Sequence, residues 1–235
     1  METAASSVQT RSNQSNLLRW FVYVVIKAGL SILCRVEASG LETVPERGPM
    51  ILISNHTGSL EIPLVLAWLW PRPLSGWAKI ETWDKPFFNW LFNLWGAIPV
   101  HRGEADMAAL RAAFQKLDEG HLFAVAPEGT RNKNGKLLRA HPGAVLLALR
   151  SGAPILPIAH WGGENFLPNL KRLRRTDFHI RVGRPFVIQG GERIKREERQ
   201  QVADEMMYQL AALMPEEYRG EYSDMSKATT KFLKF

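Results

Sequence analysis

A histidine and a carboxylate five residues apart, His56 and Glu61, occupy the run Ser54-Asn55-His56-Thr57-Gly58-Ser59-Leu60-Glu61, directly after the apolar stretch Met50-Ile51-Leu52-Ile53. An imidazole whose far nitrogen meets a carboxylate is a general base near neutral pH. The carboxylate selects the tautomer and stabilises the imidazolium that forms. A strand ending in a polar turn delivers such side chains to the crevice where α/β folds place their chemistry. The same spacing also describes a capped helix start, so the pair alone does not decide between the two.

Two further strand ends supply groups for an anion. Phe123-Ala124-Val125-Ala126 runs into Pro127-Glu128-Gly129-Thr130-Arg131. Gly129 permits close approach of the backbone to a ligand, Thr130 adds a hydroxyl, and Arg131 offers a planar fork that matches a phosphate. Upstream, Gly96-Ala97-Ile98-Pro99-Val100-His101 leads to Arg102 beside Gly103. Each arginine alone reads equally as a solvated loop charge. Two of them at strand ends, near a His and a carboxylate, describe an anion pocket beside a base.

Other chemistries lack their signatures. Between Gly129 and Gly135 lie five residues where a phosphate-binding P-loop has four, and Leu137 follows Lys136 where Ser or Thr is required. No serine sits in a G-x-S-x-G elbow. The six histidines show no zinc spacing, so no metal is expected. The cluster Lys171, Arg172, Arg174, Arg175 lacks the stacking aromatics of an RNA-binding strand and reads as a solvated turn or a headgroup-facing patch. Cys34 is the sole cysteine, in an apolar run that suggests a buried thiol; a reducing compartment is compatible.

The elements that must position these groups alternate. Strands are expected over 36–44, 50–54, 75–80, 97–101, 121–126, 154–160 and 178–182, and helices over 59–70, 86–94, 104–117, 143–150 and 195–213. Such alternation predicts a single α/β domain, residues 36–235, with a largely parallel central sheet flanked by helices. At 235 residues and 46% hydrophobic content the chain can bury one sizeable core. Its net charge of +7 suits a nucleic acid, an anionic membrane or a phosphorylated small molecule. Residues 1–16 are polar and expected to be disordered. Residues 17–35 read as a membrane-associating helix, because Arg19, Tyr23, Lys27, Ser31 and Arg35 recur every fourth position as one polar stripe on an otherwise apolar surface. A helix packed on the protein with one wet edge has the same pattern. Seven of the eight tryptophans precede residue 101, as at a membrane edge.

Taken in order, these segments resemble the glycerolipid acyltransferase family typified by 1-acyl-sn-glycerol-3-phosphate acyltransferase. Its N-H-x4-D block is similar to Asn55, His56 and, with a change, Glu61. Its second block resembles 96–102. Its E-G-T-R block matches Glu128, Gly129, Thr130 and Arg131, and its strand with an internal proline resembles Ile155-Leu156-Pro157-Ile158. The resemblance covers somewhat under half the chain. It implies transfer of a fatty acyl group from acyl-CoA or acyl carrier protein to the hydroxyl of lysophosphatidic acid or a related lysophospholipid. In that reading His56 is the base, Glu61 orients it, and Arg102 with Glu128, Gly129, Thr130 and Arg131 binds the phosphate. It implies no cofactor beyond the acyl thioester co-substrate, no nucleic acid partner, and a place on the cytoplasmic face of a membrane. The family has Asp where this chain has Glu61. Lipid A secondary acyltransferases and phosphatidylinositol mannoside acyltransferases are similar in using Glu there, which keeps a glycolipid or amino-lipid acceptor open, as well as a catalytically silent lipid-binding protein.

Overall fold

The structure is a computed structural model that describes the backbone of residues 2–58, 60–101 and 106–235, and the side chains of those from residue 17 onward except Glu192. In chain order the elements are α1 (Glu2–Leu33), β1 (Cys34–Ser39), β2 (Met50–Ser54), α2 (Glu61–Leu69), β3 (Leu74–Lys79), α3 (Pro86–Trp95), β4 (Ile98–Val100), α4 (Met107–Asp118), β5 (Leu122–Val125), α5 (Gly143–Ser151), β6 (Ile155–Trp161), α6 (Phe166–Lys171), β7 (Thr176–Val182), β8 (Val187–Ile188), α7 (Arg199–Leu213) and β9 (Leu233–Lys234).

Seven strands form the central sheet in the order β1-β7-β6-β2-β5-β3-β4. Every neighbouring pair is parallel except β6 with β7, so the expected, largely parallel α/β sheet is present. Strands covered on both faces need apolar residues at every position, not every second one. Met50 to Ile53 and all of β6 are buried accordingly. Alternate residues serve opposite layers. Ile51 and Ile53 pack with α4, α5 and α7, whereas Met50 and Leu52 pack towards α2 and Leu30 of α1. Pairing of β2 with β5 and β6 brings Ser54 and Val125 to the same sheet edge, so the turns that follow β2 and β5 emerge side by side. Gly96, in the left-handed region at φ 68°, ends α3 and turns the chain into β4.

Several expectations change. The helix α1 (Glu2–Leu33) stops two residues short of the expected boundary at 35. Arg35 therefore lies on β1, where it pairs with Asp177 at 3.2 Å, and not on the helical stripe. The stripe does not point uniformly outward either. Tyr23 is buried and stacked on Trp70 with ring centroids 4.5 Å apart, and Lys27 lies over the Trp68 ring at 5.2 Å. The side left open carries Trp20, Phe21, Val24, Val25 and Ile32. Packing decides this: α2 and α3 offer Leu66, Ala67, Leu91 and Trp95, against which an aromatic with a polar tip fits as well as an aliphatic residue. Among the described residues no helix is long and apolar enough to cross a membrane. The extended segment expected over 36–44 breaks at Gly40, whose φ of 82° starts a single 3-10 turn at Leu41–Thr43. The short elements α6, β8 and β9 were not expected.

Candidate functional site

His56 lies two residues past the end of β2, and Glu61 is the first residue of α2. The five-residue spacing closes as a contact, His56 Nδ1 to Glu61 Oε1 at 2.7 Å. The same oxygen accepts the Gly58 amide at 2.9 Å. The extra methylene of Glu over Asp is thus accommodated by the turn, and the hydrogen bond is of ideal length. Glu61 is 5% exposed. Burial pushes its carboxyl upward, but the His56 hydrogen bond, the pull of His160 and His56 when protonated, and the Gly58 amide outweigh it and hold the pKa down at about 2. An ionised Glu61 can only accept, so His56 Nδ1 carries the proton.

The other ring nitrogen gives the same answer independently. Arg131 Nε donates to His56 Nε2 at 3.3 Å, and a guanidinium has no lone pair to offer in return. Nε2 is therefore the bare, basic nitrogen. It is held against Arg131, which itself lines a cavity of about 930 Å³. Thr130 and Arg131, with Lys79, Glu81, Thr82 and Lys85, supply its polar lining. Val25, Ile26 and Leu30 of α1 and Phe88, Leu91 and Trp95 of α3 form apolar walls. The arrangement can take a proton from a hydroxyl held near an anion, next to a slot for hydrocarbon.

Glu128 is placed differently from the phosphate-binding role expected of it. It is 1% exposed and its two oxygens accept main-chain amides, His56 N–H at 2.9 Å and Leu138 N–H at 2.9 Å. Burial raises its carboxyl to about 7, against the downward pull of those two amides, with the Glu61 charge adding to the rise. It faces the backbone that carries the histidine, not the cavity. Asn132 N–H completes the hold by donating to the His56 carbonyl at 2.8 Å. Gly129 adopts φ 66° and its amide is spent on Ala126 O at 3.0 Å within the turn, so it is not free to receive an oxyanion. A side chain at Gly129 would also meet His141 Cδ2 at 3.1 Å. Arg102 lies outside the described residues.

One buried pair was missed in the sequence. The Asn55 side chain donates to His160 O at 2.8 Å and accepts from His160 N–H at 3.0 Å, while His160 Nε2–H donates to the Asn55 carbonyl at 2.7 Å. This three-point link ties the end of β2 to β6 one residue before His56. Burial lowers the His160 pKa, in keeping with a neutral ring that uses Nε2–H as its donor. The available signal was a histidine inside an otherwise apolar strand, which reads as a core residue. Among the described residues no group of three His, Cys, Asp or Glu side chains is placed to hold a metal ion.

Comparison with known proteins adds a family. The chain is 34% identical over 148 residues to the 1-acyl-sn-glycerol-3-phosphate acyltransferase of Pseudomonas aeruginosa, covering 62% of this chain and 54% of that protein. It is 28% identical over 199 residues to the lyso-ornithine lipid O-acyltransferase of the same organism, covering 77% and 73%. The chain spans about half the length of the glycerophosphate acyltransferases it matches. The crystal structure of the 1-acyl-sn-glycerophosphate (LPA) acyltransferase PlsC from Thermotoga maritima superposes with a TM-score of 0.64 at 25% identity, covering 83% of this chain and 79% of that one. The Acyltransferase family model matches residues 35–161, over half of the sequence, from the second residue of β1 to the end of β6, and the chain belongs to that family.

Proposed function

We propose that the protein moves a fatty acyl group from an acyl-CoA or acyl carrier protein thioester to the free hydroxyl of lysophosphatidic acid or a related lysophospholipid. The observation that carries this reading is the 2.7 Å pair of His56 Nδ1 and Glu61, which turns a basic Nε2 towards Arg131, a residue that lines a largely apolar cavity. Nε2 takes the hydroxyl proton as the oxygen attacks the thioester carbonyl carbon. The tetrahedral intermediate collapses, the carbon–sulfur bond breaks, and the imidazolium returns its proton to the departing thiolate. Glu61 stabilises the imidazolium between these steps. Arg131 occupies the Nε2 lone pair that the hydroxyl has to reach, so drawing its guanidinium onto the acceptor phosphate would uncover the base as the acceptor arrives.

The acyl chains are insoluble, which favours work at a membrane, with the cytoplasmic face as the source of both thioesters. The exposed Trp20, Phe21 and Val25 of α1 and Phe87, Phe88 and Trp90 of α3 suit contact with lipid. An amino-lipid acceptor is a second reading, favoured by the longer match to the lyso-ornithine lipid enzyme, while Glu61 in the Asp slot keeps a glycolipid acceptor open. A silent lipid-binding protein would have no need of the short His56–Glu61 contact. The deciding experiment incubates the protein with acyl-CoA and acyl carrier protein thioesters against lysophosphatidic acid, other lysophospholipids and a phosphate-free lyso-amino-lipid. Lipid products are read by mass. Turnover of the phosphate-free acceptor alone would reject the leading reading, and no product from any pair would reject both.

A further inference from the structure

The turn between α6 and β7 has a conformation that its sequence resists. Helix α6 ends in a Schellman arrangement: Arg174 N–H bonds Asn169 O at 2.9 Å and Leu173 N–H bonds Leu170 O at 3.1 Å. The residue after such a helix end must enter the left-handed region, where glycine is the usual occupant because it has no Cβ to clash. Here it is Leu173, at φ 54°, the one non-glycine residue with positive φ among those described. Its side chain gains nothing from the protein, being 95% exposed. A branched apolar residue that is both strained and solvated contributes nothing to folding at this position, which points to a partner outside the chain.

Its surroundings indicate which partner. Leu167 and Leu170 of the same helix are 65% and 40% exposed. Lys171, Arg172, Arg174 and Arg175 flank Leu173, all exposed. Arg175 reaches to the carbonyls of Ser31 and Cys34, at 2.6 Å each, which fastens the turn to the end of α1. There Ile32 is 72% exposed and Leu33, also open, lines the cavity. The nearest acidic side chain in sequence, Asp177, is paired with Arg35. We infer that the α6–β7 turn is a second membrane contact, which inserts Leu173 among acyl chains and sets Lys171, Arg172 and Arg174 against anionic headgroups. This goes beyond the apolar faces of α1 and α3 because it adds selectivity for negative lipid, while resting on the same reading that the protein works at a bilayer. A carrier protein with acidic helices would also meet a basic patch. The strained, solvent-facing leucine and its continuity with the apolar end of α1 favour the bilayer.

The test measures sedimentation of the full chain with vesicles of pure phosphatidylcholine and of equal parts phosphatidylcholine and phosphatidylglycerol. Leu173→Gly is expected to melt at or above the wild-type temperature, since glycine relieves the strain, and to bind both vesicle types several-fold more weakly. The pair Arg172→Gln and Arg174→Gln is expected to lose about twenty- to thirty-fold on the anionic vesicles, about five-fold for each arginine, and little on the neutral ones. Wild-type binding by all of these variants, alongside a loss for Phe87→Ser with Trp90→Ser, would overturn the inference and leave the α1 and α3 contact standing. Unchanged vesicle binding with a raised KM for the acyl carrier protein thioester would overturn it in favour of a protein partner. No vesicle binding by the wild type would reject the membrane reading as a whole.

Discussion

Glu61, the first residue of α2, and Glu128, in the turn after β5, both bond to His56. Both are buried and both accept two hydrogen bonds. Burial alone would raise both carboxyls. Their values nevertheless diverge, about 2 for Glu61 and about 7 for Glu128. The difference lies in what they touch. Glu61 faces an imidazole, which can become a cation, so its negative charge is stabilised where it sits. Glu128 faces only neutral amides, and the Glu61 charge adds to its cost. The same residue type at similar depth therefore serves two ends: one carboxylate tunes the ring, and the other holds the main chain on which the ring is mounted.

Breaking the ring side should have the largest effect. His56→Ala is expected to lower acyl transfer by about 10²- to 10⁴-fold with an unchanged melting temperature, since a positioned general base contributes on that scale. A loss below ten-fold would mean the proton leaves by another route. Glu61→Gln keeps an acceptor for Nδ1–H but removes the charge facing the imidazolium. It should lower kcat by about 10²-fold and leave KM for the acceptor near wild type. If KM moves and kcat does not, Glu61 belongs to binding.

The main-chain side should respond in stability first. Glu128→Ala orphans the His56 and Leu138 amides, which costs about 1–3 kcal/mol for each group left unsatisfied. Urea midpoints should fall accordingly, with about a ten-fold lower kcat from a looser His56. A variant as stable as the wild type would show that water replaces the carboxylate at no cost. Arg131→Lys swaps a fork for a point charge and should raise KM for a phosphorylated acceptor by about ten-fold with a smaller change in kcat. Equal kinetics on both phosphorylated and phosphate-free acceptors would remove Arg131 from acceptor recognition.

The smallest effect separates the two glutamates by pH. Glu61 titrates lower in the folded state than an ordinary glutamate, so its stabilising contribution is present above the unfolded value of about 4.5 and is lost as pH falls towards 2. Glu128 titrates higher, so ionising it costs the folded state increasing stability as pH rises from about 4.5 through 7. Urea midpoints across this range should lose their acid limb in Glu61→Gln and their decline towards neutrality in Glu128→Gln. Parallel curves for the two variants would show that the carboxyls share one environment.

Much of this was legible in the chain. The apolar runs at 50–53 and 155–159 need no partner to announce buried strands, and alternation with amphipathic helices is enough to specify a parallel α/β sheet. The His56–Glu61 contact was foreseeable because both residues lie within one short motif, whereas Arg131 stands in a separate strand-end turn and meets His56 across 75 residues of sequence. What required tertiary structure is everything set by neighbours remote in sequence. Glu128 looks like a ligand for phosphate in its own segment, and only the pairing of β2 with β5 turns it onto the His56 amide, 72 residues away. His160 is an ordinary core histidine until β6 sits beside β2 and meets Asn55. The polar stripe of α1 has a period that any amphipathic helix shares. Which side faces the protein was decided by α2 and α3, because packing compares the two faces against an actual surface and periodicity only says that they differ.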